Sequence, residues 1–224
     1  MKKLIIALSA FSLIAFAACN ETSTADNSEV VTDTAVGMSN ETPADNAAAA
    51  ASAAPVDSAT MAKKWEEYMT PGDMHKWMAS TNGKWDAEFT FWMGPDAPPE
   101  TGAKASGDHK SILGGRYQES NYKGEMMGMP FEGRGTTAYD NAKKKFVSTW
   151  IDNMGTGLMH MEGTYDSTTK TLTMTGTGVD PMTGNDVQMR EVLKTIDDKH
   201  QVMEMYDTKG GREYKSMEVK LTKK

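Results

Sequence analysis

From Lys84 to Leu221 the chain alternates short apolar and polar segments with turn residues, and no run of helical spacing interrupts them. Ten candidate strands emerge: Lys84 to Met93, Ala103 to Leu113, Arg116 to Glu125, Phe131 to Tyr139, Lys145 to Asp152, Gly157 to Tyr165, Thr171 to Gly178, Asp186 to Ile196, Gln201 to Asp207 and Glu213 to Leu221. Pro98-Pro99, Gly114-Gly115, Asp140-Asn141, Asp166-Ser167, Pro181 to Gly184, Asp197-Asp198 and Gly210-Gly211 punctuate them as turns. Links this short leave no place for crossover helices, which excludes a βαβ design and favours an antiparallel meander. An open meander of ten strands would leave two unpaired edges, and closing it into a barrel removes both. The expected fold is therefore all-β: an antiparallel up-and-down barrel of about ten strands, wide enough to enclose one small ligand.

The seventh candidate strand shows the alternation most cleanly. Thr171, Thr173, Thr175 and Thr177 interleave with Leu172, Met174, Gly176 and Gly178, giving one wet face and one packed face. Ahead of the strands, Trp65, Tyr68, Met69, Met74, Trp77 and Met78 recur at helical spacings on either side of Pro71-Gly72. This predicts a helix over Thr60 to Met69 and a shorter one over Asp73 to Ala79 capped by Asp73, their aromatic faces closing one end of the barrel.

The one cysteine, Cys19, follows an apolar stretch from Leu4 to Ala15 that begins after Lys2-Lys3 and ends in Phe16-Ala17-Ala18. A basic start, a short apolar middle and small residues before a Cys form a bacterial lipoprotein signal, in which Cys19 becomes the lipidated N-terminus. Residues 1 to 18 are then the signal peptide, too short to prefer spanning a bilayer. The expected location is the bacterial cell envelope, with the membrane as a partner through Cys19. A mature chain without a second cysteine forms no internal disulfide, so its stability must come from a packed fold.

The formal charge of -7 divides unevenly. Glu21, Asp26, Glu29, Asp33, Glu41, Asp45 and Asp57 carry seven negative charges in a region without Lys or Arg, whereas from Met61 onward 22 basic residues face 24 acidic ones. The folded part is nearly neutral, which argues against nucleic acid as a partner. Residues 19 to 58, built from Ala, Ser, Thr, Asp, Asn and Glu, read as a disordered acidic tether, leaving 59 to 224 for the barrel domain.

Gly83-Lys84-Trp85, at the entry to the first strand, is similar to the Gly-x-Trp motif of lipocalins and related calycin barrels. The stretch Gly124 to Asp140, GEMMGMPFEGRGTTAYD, and its continuation Lys145 to Gly157, KFVSTWIDNMGTG, resemble the bacterial domain-of-unknown-function family 1579 (DUF1579), as do Thr169 to Met174, Asp180 to Gly184 and Val202 to Tyr206. The resemblance covers His75 to Lys223. It implies a calycin-type barrel, offers no catalytic residues to carry over, and places Trp85 at the closed end near a late-strand cation such as Lys220 or Lys223.

Motifs for catalysis are missing: the chain has no G-x-S-x-G, H-E-x-x-H, C-x-x-C or Walker loop, so it is not expected to be an enzyme, and no cofactor or metal is assigned. The acid and base of a hypothetical enzyme would be a pair such as Asp152 and Glu204. Of His75, His109, His160 and His200, none is at ligand spacing to another; His160, inside a strand, is the candidate were haem to bind. Methionine is the outlier, 17 of the 19 lying from Met61 onward. Met159 and Met161 share a strand face while His160 points away, which weighs against a copper site and for core or cavity filling.

Polar residues interrupting apolar strand faces mark the candidate ligand pocket: Trp150, Asp152, Arg190, Glu204 and Tyr206. An Arg and carboxylates among aromatic walls would anchor the polar head of an otherwise apolar ligand. The leading expectation is a lipid-anchored envelope protein that binds or carries a small amphipathic molecule. The alternative is a non-enzymatic envelope-maintenance protein whose barrel is solidly packed and whose outer surface meets a protein partner.

Overall fold

A computed structural model describes residues 57–224; the signal segment, Cys19 and nearly all of the expected tether lie outside the described residues. Two helices, α1 (Ser58–Met69) and α2 (Asp73–Ser80), precede ten strands. The strands are β1 (Gly83–Phe91), β2 (Glu100–Ile112), β3 (Tyr117–Met126), β4 (Met129–Asp140), β5 (Lys145–Asp152), β6 (Met159–Asp166), β7 (Thr171–Val179), β8 (Asp186–Thr195), β9 (His200–Lys209) and β10 (Arg212–Lys223). Each pairs antiparallel with its sequence neighbours, and β1 pairs with β10 from Trp85↔Lys223 to Phe91↔Met217, closing the barrel. All ten expected strands are present, with ends displaced by up to three residues. Among the described residues no helix is long and apolar enough to cross a membrane.

Closure gives every strand an inside and an outside at period two. On β7, Leu172 and Met174 are buried while the threonines stay partly or fully exposed, as the alternation requires. One buried cluster gathers Trp85, Ala87, Phe89, Phe131, Val219 and Leu221; a second gathers Met78, Phe146, Met161, Leu172, Met174 and Met205. Trp85, Phe146 and Met161 are almost fully enclosed, each stabilising the fold by roughly 2–3 kcal/mol through burial.

The strand ends beside α2 form the closed end. Trp77 lies edge-on to Phe146 at 5.3 Å and tilted over Tyr165 at 4.3 Å, so the helix plugs the barrel with its aromatic face. Gln118 of β3 ties the plug down, its Nε2 donating to the Met78 carbonyl at 2.7 Å and to Thr81 Oγ1 and Asn82 Oδ1 at 2.9 Å. Trp85 Nε1 donates to the Thr81 carbonyl at 2.9 Å. Lys223 supplies the late-strand cation, with Nζ 5.5 Å from the Trp85 ring and donating to the Ser80 carbonyl at 3.0 Å. Lys220 instead faces Glu218 on the outer wall.

The helical segment differs from expectation in two respects. Gly72, not Asp73, is the N-cap of α2, and its N–H donates to His75 Nδ1 at 3.0 Å; Asp73 sits in the first turn, bonded to Lys76. Only α2 closes the barrel. Helix α1 buries none of its residues, Trp65 and Tyr68 being exposed, and it is held at its end by Asn141 Nδ2, which donates to the Thr70 carbonyl at 2.8 Å. It also starts earlier than Thr60, because the Asp57 carboxylate accepts from the Ala59 and Thr60 N–H groups.

Candidate ligand cavity

The ten inner faces do not fill the space they surround. A cavity of about 340 Å³ runs from Trp77 and Met78 on the plug to Phe91, Asp152 and Met154 near the opposite rim. Phe89, Phe131, Leu193, Met203 and Met217 make its walls largely apolar. Small residues decide where the large ones stand. A Cβ on Gly107 would lie 2.8 Å from the Tyr122 ring, and one on Gly133 would collide with Trp150, so these glycines let two aromatic side chains lie flat against the inner wall. The volume they vacate belongs to the cavity.

A few polar groups break the apolar lining. His109 Nε2 and the Tyr122 hydroxyl are hydrogen-bonded at 2.7 Å. Burial pushes the His109 pKa down to about 4, against smaller opposing effects of the Thr81 carbonyl and Asp108, so the ring is neutral. Burial likewise raises the Tyr122 hydroxyl, helped by the charge of Glu191. Asp152 is held at the rim, its Oδ2 accepting from Trp150 Nε1 at 2.7 Å and its Oδ1 from the Met154 N–H at 2.9 Å.

Glu191 stands apart. It lies in the middle of β8, opposite Met174 of β7 and Met205 of β9, and its side chain turns into the cavity. Among the described residues no hydrogen-bond donor or cation meets its carboxyl. Enclosure without a partner raises its pKa to about 7.

Of the pocket expected from sequence, Trp150 and Asp152 line the cavity; Arg190, Glu204 and Tyr206 do not. These three are neighbours on the outer wall. Arg190 donates to both Glu213 oxygens at 2.9 and 2.7 Å and stacks 4.0 Å from the centre of the Tyr206 ring, whose hydroxyl donates to Glu204 Oε2 at 2.9 Å. Lys215 Nζ completes the patch by donating to Glu204 Oε1 at 3.0 Å and Glu218 Oε2 at 2.6 Å. A register shift in β10 between Lys215 and Met217 puts Lys215 and Glu218 on one face. Asp152 and Glu204 therefore lie on opposite sides of the wall and are not an acid–base pair. His160 is exposed and His109 is the cavity histidine, so a group bound in the cavity would not meet His160. Met161 is enclosed within the barrel wall, as core filling requires.

Residues 70–223 match the model of a family described as protein of unknown function (DUF1579), which spans the plug helix and every strand. The chain belongs to the DUF1579 family. No curated protein matches it. For this DUF1579 protein the cavity must therefore speak through its own chemistry. No group of three or more metal-ligating side chains occurs among the described residues.

Sequence reading alone passes over Glu191, Tyr122 and His109. The available signal is the period-two series Met189, Glu191, Leu193, whose apolar members pin the carboxylate to the inner face once the strand is known to line a barrel.

The two buried titrations oppose each other. Glu191 has a folded pKa above its ordinary 4.5, so its contribution is fully favourable below pH 4.5 and is lost as pH rises through 7. His109 has a folded pKa below its ordinary 6.5, so its contribution is fully favourable above 6.5 and is lost as pH falls toward 4. Each is worth about 3 kcal/mol by linkage. Glu191→Gln should match the wild type in urea unfolding at pH 4.5 and exceed its stability by about 2–3 kcal/mol at pH 8; a pH-independent difference would contradict the enclosed, unpaired carboxyl.

Proposed function

We propose that this protein binds or carries one small, mostly apolar molecule within the barrel, held at the envelope by a lipid on Cys19. The cavity is the observation that carries the binding half of this reading. A void of about 340 Å³ lined by Met, Phe and Trp, with a few convergent polar groups, has the size and chemistry of a small-molecule site. It also weighs against the packed-barrel alternative, whose premise is a filled core. Methionine suits the walls because an unbranched thioether adapts its shape to a guest without a large strain cost. At the rim, Met93, Met127, Met154 and Leu158 are exposed and offer an apolar approach to the mouth. The anchoring half rests on Lys2-Lys3, the apolar segment and Ala17-Ala18-Cys19.

The binding reading is tested with the full chain carrying Cys19→Ser and the neutral fluorescent probe N-phenyl-1-naphthylamine. Saturable uptake of one probe per chain is expected, weakened at least about tenfold by Leu193→Trp, whose indole would occupy the cavity. Absent uptake, or uptake indifferent to Leu193→Trp, would overturn the reading. Anchoring has its own check: cells expressing the wild type should incorporate labelled palmitate into the protein and cells expressing Cys19→Ser should not, and label persisting on the variant would refute lipidation at Cys19.

A further inference from the structure

The charges inside the barrel are one-sided. The cavity lining contains two carboxylates, Asp152 and Glu191, and no Lys or Arg. Asp152 is already occupied, both of its oxygens accepting hydrogen bonds from Trp150 and the Met154 backbone. Glu191 is enclosed and has neither a hydrogen-bond donor nor a cation beside it among the described residues. Tyr122, whose hydroxyl feels the Glu191 charge, is engaged with His109. An ionised carboxylate in such a place is costly unless something of opposite charge enters with it. Met174 and Met205 stand opposite it on the neighbouring strands, and the same cavity is lined by Tyr122, Trp150 and Phe89, whose ring faces attract cations.

We propose that the cavity selects a lipophilic organic cation, an alkyl or aryl ammonium whose charged nitrogen pairs with Glu191 and whose hydrocarbon fills the Met- and Phe-lined remainder. This rests on the ligand-carrier reading and narrows its substrate class. A neutral amphiphile of the same shape would make no ion pair with Glu191 and gain only apolar contact. An anion would face two carboxylates with no compensating base. The cation alone satisfies the carboxylate that the fold encloses without a partner.

The geometry also fixes a pH dependence. Groups facing Glu191 across the cavity or along the neighbouring inner faces are Tyr122 of β3, His109 of β2, Asp152 of β5 and Asp207 of β9. None supplies a positive charge near neutrality, because burial holds His109 neutral down to about pH 4. Glu191 is thus the group whose ionisation sets cation affinity. Binding of an ammonium should strengthen as pH rises from 5 to 8 and level off once the carboxylate is formed, whereas binding of a neutral analogue should not change.

The test is displacement of N-phenyl-1-naphthylamine from the full Cys19→Ser chain by n-octylammonium, n-octanol and n-octanoate, three ligands of one chain length and three charges. At pH 8 octylammonium should bind at least about tenfold more tightly than octanol, and octanoate more weakly than both. Glu191→Gln, isosteric with the protonated acid, should abolish the advantage of octylammonium over octanol at pH 8. Equal displacement by octylammonium and octanol in the wild type, or selectivity that survives Glu191→Gln, would overturn the cation assignment while leaving a neutral-ligand carrier intact. Failure of the probe itself to bind would overturn both.

Discussion

Everything distinctive about this protein depends on the ladder between β1 and β10. Until those two strands pair, the sheet has two edges and no interior, and an alternating strand merely has two faces. Once Trp85 stands opposite Lys223 and Phe91 opposite Met217, one face of all ten strands is cut off from water. The plug helix then seals one end by packing Trp77 and Met78 onto Phe146 and Tyr165. A group deep on the inner face is removed from bulk solvent whatever its chemistry. That is why His109 is held neutral and Glu191 titrates near 7, while the carboxylates of the outer wall are held low by lysines and arginines.

The interior combines two materials that usually conflict. Methionine and aromatic side chains supply enough buried area to stabilise a barrel without disulfides, yet inner-face glycines let Trp150 and Tyr122 lie back against the wall, their ring centres 5.8 Å apart. The result is a stable shell with an unfilled middle. A carrier of one small molecule would need both properties: a shell that keeps its shape when empty and walls that adjust when it is filled. On the proposal of a cationic ligand, the enclosed carboxylate would give the cavity a preference by charge that apolar contact alone does not provide.

Most of the architecture is legible in the sequence because turns and alternation are local signals. Gly114-Gly115, Asp166-Ser167 and Gly210-Gly211 mark chain reversals by their own backbone preferences, and the strand count follows from them. The plug is legible too, since Trp77 and Met78 recur at helical spacing. Which face of each strand turns inward is legible only where the two faces differ. On β7 threonine opposes leucine and methionine, and the assignment is unambiguous. On β8 and β9 the faces are mixed: the outer wall carries Val192, Val202 and Tyr206, while the inner wall carries Glu191, Gln201 and Asp207. Glu204 and Tyr206 share a strand face by their spacing, but only the closed barrel reveals that they meet Arg190 outside, beside Glu213 and Lys215. The register shift in β10 moves Lys215 onto that face, and nothing in the local sequence announces it.

The central claim is that the barrel is hollow and that Glu191 projects, unpaired, into the hollow. A ¹³C NMR titration of the Glu191 carboxyl in the ligand-free protein, assigned by its loss in Glu191→Gln, addresses that claim directly. A midpoint near 7 is the predicted result, because enclosure without a counter-ion raises a carboxyl to that range. A midpoint near the ordinary 4.5 would contradict the account, showing a carboxyl that is solvated or already paired and a cavity unlike the one described.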